Sequence, residues 1–275
     1  MFYQKPICMN RNVILKSLLL FGILSVLIPL KSHANIIVLN GLTHENQAHP
    51  GESYRGTIQI QNASDKIRNV RIYQRDYWFS YNGESKHDPA GTLERSNAEW
   101  ISFNPELVEL GPNETSTVNF EVKVPGEPLS GTYWSVIMVE GIVPPDTTGF
   151  SSGVTINTAI RYAVQIVTNI GETGTSDIKF LGMELGRQLE TTLLHVALEN
   201  TGERMLRPEL ALELFDETGN SLGTVIANKV KTFPGTSVMI TLQLEGIKPG
   251  NYNGVLVADC DDDHVFGTNV SFEIE

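Results

Sequence analysis

The sequence is short of cysteine, of basic residues and of long apolar runs, and each shortage excludes something. Two cysteines occur in 275 residues. Cys8 precedes the one long apolar run and Cys260 alone follows it, so no disulfide can close within the rest of the chain. Lys and Arg total 20 against 32 Asp and Glu, a formal charge of −12. Such a chain offers no basic stripe in its sequence for nucleic acid or an anionic membrane. The apolar run, "SLLLFGILSVLIPL" from Ser17 to Leu30, has 14 residues. That is short of the roughly 20 needed to span a bilayer, so stable membrane insertion is not expected. Helical periodicity is missing too. No window with apolar residues at helical spacing persists beyond a turn or two.

What is present begins with the first 34 residues. They hold Lys5, Arg11, Lys16 and Lys31 and no acid, then the apolar run, then "KSHA" with small Ser32 and Ala34. This three-part layout reads as a secretory signal peptide (1–34), cleaved between Ala34 and Asn35; an uncleaved anchor is the alternative. From residue 35 onward 16 basic residues face all 32 acids, a formal charge of −16. The product is expected to be periplasmic or secreted.

The remainder reads almost wholly as strand. "YRGTIQIQN", "STVNFEVKVP" and "TYWSVIMVEG" alternate apolar and polar residues and are rich in β-branched and aromatic types. "GVTINTAIRYAVQIVT" (Gly153–Thr168) does so over sixteen residues, with Val154, Ile156, Ile160, Tyr162, Val164 and Ile166 on one face. Turn formers such as "GPNET", "DETGN" and "KPGNY" separate the strands. A loose repeat is also visible. "IQIQNASDK", "LGPNETSTVNFEVKVP" and "SGTYWSVIMVE" are matched in order by "HVALENTGER", "FPGTSVMITLQLEGI" and "PGNYNGVLVAD". Each half has a strand ending in Asn, a Pro/Gly turn opening a strand, and a Gly-x-Tyr strand. The expected fold is all-β, two tandem immunoglobulin-like β-sandwich domains at 35–170 and 171–275. Their boundary falls in the polar, Gly-rich "TNIGETGTSD".

Few residue groups could carry chemistry. "DCDDDH" (Asp259–His264) has acids enough to suggest calcium, with Asp259, Asp261, Asp262 and Asp263 as candidate ligands. It lacks the alternation, the glycine and the distant closing Glu of a calcium loop, and it lacks a second Cys/His pair for zinc. The repeat makes it the connection between the last two strands. "GFSSG" (Gly149–Gly153) has the form of a nucleophile elbow but opens a strand, where that motif needs a strand-to-helix turn. His44, His49, His87 and His195 show no partner spacing, and the Trp and most Tyr residues are assigned to the first core. Asn62, Asn113 and Asn269 head sequons by form and are read as turn and strand residues. No enzyme and no cofactor is expected.

Two tandem sandwiches behind a signal peptide, with "FNPELVELGPNETSTVNFEVKVPGEPLSGTYWSVIMVEG" in the first, resemble the PapD-like periplasmic chaperones of pilus assembly. The style of "PGESYRGTIQIQNASDK" is also similar to the first domain of WxL-interacting cell-surface proteins, which usually carry a C-terminal membrane helix that this chain does not show. The chaperone resemblance implies that the long last strand of the first domain donates alternating apolar residues to a pilin-like subunit lacking a strand. It implies an outer-membrane usher as a further partner. The implied client-binding residues are Ile156, Ile160, Arg161, Tyr162 and Val164, Arg161 standing where the family has a basic residue that grips the client's terminal carboxylate. The family's second basic residue, on the first strand, has no counterpart in "NIIVLNGL" (Asn35–Leu42). The expected function is chaperone-like protein binding. A structural module of the cell surface or cell wall is the alternative.

Overall fold

The computed structural model describes residues 36–142, 160–260 and 264–274. The leader, the Gly149–Gly153 motif, Ile156 and Asp261, Asp262 and Asp263 lie outside the described residues. Strands account for nearly all the regular structure; the one helical element described is a single 3-10 turn at Ala98–Trp100. In chain order the first eleven strands are β1 (Ile36–Val38), β2 (Thr43–Ala48), β3 (Ser53–Asn62), β4 (Arg68–Arg75), β5 (Trp78–Phe79), β6 (Ser85–Lys86), β7 (Ile101–Asn104), β8 (Leu107–Leu110), β9 (Thr115–Lys123), β10 (Gly131–Ile142) and β11 (Arg161–Ile170). Seven more follow: β12 (Ile178–Gln188), β13 (Thr191–Asn200), β14 (Glu209–Phe215), β15 (Ser221–Ile226), β16 (Ser237–Leu244), β17 (Gly250–Asp259) and β18 (Val265–Ile274).

Alternation builds two sandwiches. In the first, a sheet ordered β1-β3-β9-β7 faces one ordered β2-β11-β10-β4-β8. Inward residues of both, among them Ile58, Ile60, Ile72, Val118, Ile137, Val164 and Ile166, are almost fully buried together. Burying one such aliphatic side chain contributes about 1.5–3 kcal/mol, so a period-two pattern on facing sheets suffices to specify this core. The second sandwich pairs β12-β13-β16 with β15-β14-β17-β18 around Leu194, Leu198, Leu210, Leu212 and Leu256. The chain's entry divides between the sheets of the first sandwich. β1 runs antiparallel to β3 in one sheet, and β2 then crosses to lie parallel to β11 in the other.

Residues 35–275 form one compact unit, joined across the sandwiches by aromatic and backbone contacts. The Trp134 ring stacks on Phe233, centroids 4.8 Å apart, and Met205 and Val167 pack beside them. The β5–β6 hairpin reaches over: Trp78 Nε1 donates to the Gly235 carbonyl at 2.8 Å, and the Tyr81 amide to Ser237 Oγ at 3.1 Å. Trp134 and Trp78 thus hold the two sandwiches together, where the sequence suggested that they fill the first core. Gly131 has φ of +75°, and a Cβ there would sit 2.2 Å from the Glu203 carbonyl oxygen. Only glycine permits that approach.

Candidate functional site

The strand that the sequence marked for client binding, β11, is paired on both sides for only part of its length. Antiparallel pairing with β10 runs from Arg161 to Ile170. Parallel pairing with β2 begins at Gln165, whose amide donates to the Leu42 carbonyl at 2.9 Å and whose side chain accepts from Thr43 Oγ1 at 3.1 Å. Backbone groups of successive strand residues point to alternate sides. With the Gln165 N–H turned toward β2, those of Ala163 and Arg161 point the same way, where no strand among the described residues meets them. Among the described residues the first four positions of β11 are therefore an open edge. Unpaired strand edges recruit further strands.

The expected client-facing residues are divided by the fold. Ile160 is 41% exposed and stands just before the open edge. Val164 is fully buried in the first core, and Tyr162 is half-buried against the same cluster. Their face is the inner face of the sheet, already covered by the opposite sheet, so a client cannot reach Val164. Ile156 lies outside the described residues. What a client can reach is the backbone at 161–164, with Ile160 and Arg161.

Arg161 already has a partner. Its Nε donates to Glu140 Oε1 on β10 at 2.7 Å, and Arg71 Nη2 on β4 donates to Glu140 Oε2 at 2.7 Å. Glu140 is thus a carboxylate between two guanidiniums on adjacent strands, with little solvent access. The hydrogen bond from Arg71 holds its carboxyl below the usual range; partial burial opposes that, and Tyr73 and Arg161 reinforce it. The implied grip of Arg161 on a client's terminal carboxylate must therefore share a guanidinium with Glu140. Arg71 was not singled out in the sequence, because only the register of β4, β10 and β11 places it there.

Two basic residues of the second sandwich approach β2. Lys231 Nζ approaches Thr43 Oγ1 at 3.3 Å, and Arg207 pairs with Glu45 on β2. Arg207 and Glu45 border a polar cavity of about 220 Å³ that also involves Arg204, Asn169 and Cys260. Burial pushes the Lys231 ammonium below its ordinary range, and the Arg207 charge adds to the effect. The acidic connection has the position the repeat suggested. Asp259 ends β17 opposite Val265 of β18, and the Cys260 amide donates to the His264 carbonyl at 3.2 Å.

No family model matches the chain, and no curated protein does. Solved structures similar to it include a chaperone–tip adhesin complex of CFA/I fimbriae biogenesis, at 12% identity with a TM-score of 0.48 over 86% of this chain and 98% of that one. The class 5 fimbriae chaperone CfaA is similar at 10% identity and a TM-score of 0.47, over 86% and 98%. The CsuC–CsuE chaperone–tip pre-assembly complex of Acinetobacter baumannii is similar at 10% identity and 0.43, over 86% and 98%.

Proposed function

We propose that this protein is an exported, non-enzymatic binder of other exported proteins, acting as a chaperone in the assembly of surface fibres or pili. It takes an extended client segment as an added strand on the open first positions of β11. The observation that carries the reading is the onset of β2 pairing at Gln165, four residues after β11 begins. Main-chain hydrogen bonds along such an edge give affinity without demanding a particular client sequence. The pattern resemblance to the PapD-like chaperones is consistent with this use, as is the signal-like leader. An usher is the further partner that this reading entails.

Ala163→Pro is the decisive test. It removes one amide that points to the open edge and leaves the bonds to β10 in place, a substitution edge strands tolerate. Co-expressed with a pilin-like subunit, the wild type should yield a soluble complex by size exclusion. The variant should melt like the wild type and yield none. A folded Ala163→Pro protein that still holds the subunit would refute strand addition here. Ile160→Asp should likewise fold and capture less. If the edge variants bind purified cell wall as the wild type does and neither protein holds the subunit, the structural-module reading replaces this one.

A further inference from the structure

On the outer face of the second sheet of the first sandwich, register assembles a row across four strands: Leu107 of β8, Arg71 of β4, Glu140 of β10 and Arg161 of β11. Arg71 and Arg161 lie two strands apart, so their backbones are roughly 10 Å from each other. Their side chains are 59% and 60% exposed. A guanidinium has five N–H donors, so each keeps some in solvent beyond the one given to Glu140. Arg75 is stacked on the Tyr73 ring with Arg71 and forms no ion pair among the described residues. Two guanidiniums therefore hold one carboxylate, and a third shares the Tyr73 ring with Arg71. Glu109 stands opposite Asn69, and Asp88 lies beside His87. Exposed Leu107, opposite Arg71, and Ile142, two residues beyond Glu140, lie beside this row.

We infer that this face is a recognition site for an extended polypeptide segment bearing acidic side chains between apolar ones. The inference rests on the reading above that clients are polypeptides, but it assigns a different surface from the β11 edge. Charge complementarity selects the occupant. In a chain of net −12 this row is a local excess of cations, and Arg forks bind carboxylates in bidentate fashion. A chain in the extended polyproline-II conformation advances about 3.1 Å per residue with three residues per turn, so acids three positions apart lie on one side and would meet Arg71 and Arg161 together. The apolar residues between them would meet Leu107 and Ile142. The chain's own segment between Ile142 and Ile160 carries a single acid, Asp146, and cannot supply such a pair.

The probe is a labelled peptide with Glu at every third position and Val or Leu between, compared with the same peptide carrying Lys. Fluorescence anisotropy should show the Glu peptide binding at least tenfold more tightly, with the preference shrinking between about 50 and about 300 mM NaCl as screening grows. The double variant Arg71→Gln/Arg161→Gln strands Glu140 and is expected to fold poorly, since a sequestered charge loses both partners. The triple variant Arg71→Gln/Glu140→Gln/Arg161→Gln, which leaves no sequestered charge in the row, should melt like the wild type and show no preference. Equal binding of the two peptides, or a preference that survives in the folded triple variant, would overturn the site. So would binding to phosphatidylglycerol vesicles without binding to the Glu peptide. Ala163→Pro separates the two readings. It should abolish subunit capture while keeping the Glu preference, so either property can fail without the other.

Discussion

Asn62 and Asn200 occupy the same position in the two sandwiches and make nearly the same bonds, yet they have different consequences. Each ends a strand, each is fully buried, and each folds a polar turn around its amide. Asn62 Nδ2 donates to the carbonyls of Lys66, Leu110 and Gly111, and its Oδ1 accepts from the Ser64 amide. Asn200 Nδ2 donates to Arg204 and Thr232, and its Oδ1 accepts from the Gly202 amide. The turn after Asn62 ends in open solvent, where Ile67 is 60% exposed. The turn after Asn200 docks on the first sandwich: the Thr132 amide donates to the Glu203 carbonyl at 2.8 Å, and the Met205 amide to Thr132 Oγ1 at 2.8 Å. Arg95 pairs with Glu203 at 2.9 Å. One corner shapes a single domain. The other shapes the joint between two.

The comparison can be broken most sharply at Asn200. Asn200→Ala should cost about 4 kcal/mol in urea unfolding, because several buried polar groups lose partners and the joint loses its turn. Asn62→Ala should cost about 3 kcal/mol and leave the second sandwich untouched, which amide exchange would show. Equal losses with the same exchange pattern would mean that the joint does not depend on its corner. Gly131→Ala attacks the joint from the other side. With φ of +75° and a backbone oxygen in the way, it should cost about 2 kcal/mol and raise protease sensitivity between the sandwiches.

The smallest effect expected is a pH dependence confined to the first sandwich. His44 Nε2 is the one buried side-chain nitrogen or oxygen without a hydrogen-bond partner among the described residues, and its ring meets Phe120 edge-on. His195 of the second sandwich instead shares a hydrogen bond with Thr241 Oγ1 at 2.8 Å. Burial holds the His44 imidazole below its ordinary 6.5. The unfolded chain then binds the proton first, so stability is complete above about 6.5 and falls as pH drops through it. His87, lowered by burial and by Arg161, acts in the same direction. Urea midpoints should decline on acidification, less steeply in His44→Gln. A slope unchanged by that substitution would clear His44.

The parts that local pattern determines were legible in the sequence. Alternation marked β3, β9 and β10, the repeat carried that reading into the second sandwich, and the repeated Asn and Gly-x-Tyr positions correspond to Asn62 and Asn200 and to the starts of β10 and β17. The candidate site was legible only as a strand. Periodicity put Tyr162 and Val164 on one face but could not say that the face looks inward, because that depends on which sheet covers it. Nor could it say where β2 begins. The absence of a basic stripe in the sequence was no guide to the surface, since Arg71, Arg75 and Arg161 gather across strands that are far apart in the chain. Trp78 and Trp134 read as core residues because aromatic strands usually are; a second domain within reach changed what they pack against.

The parallel seam between β2 and β11 has a consequence for the birth of the molecule. Its members Thr43 and Gln165 are separated by 122 positions. The seam cannot form until almost the whole first sandwich has emerged from the ribosome or the export channel. Bringing such distant segments together carries a loop-closure cost that grows with the logarithm of their separation, and topologies of this kind fold slowly. In the interval β2 has no seat and β11 is open along all ten of its residues, not only at its first four. A newly made molecule thus displays a longer version of the edge that the finished one retains, and for that interval its unpaired backbone is most open to pairing with other extended chains.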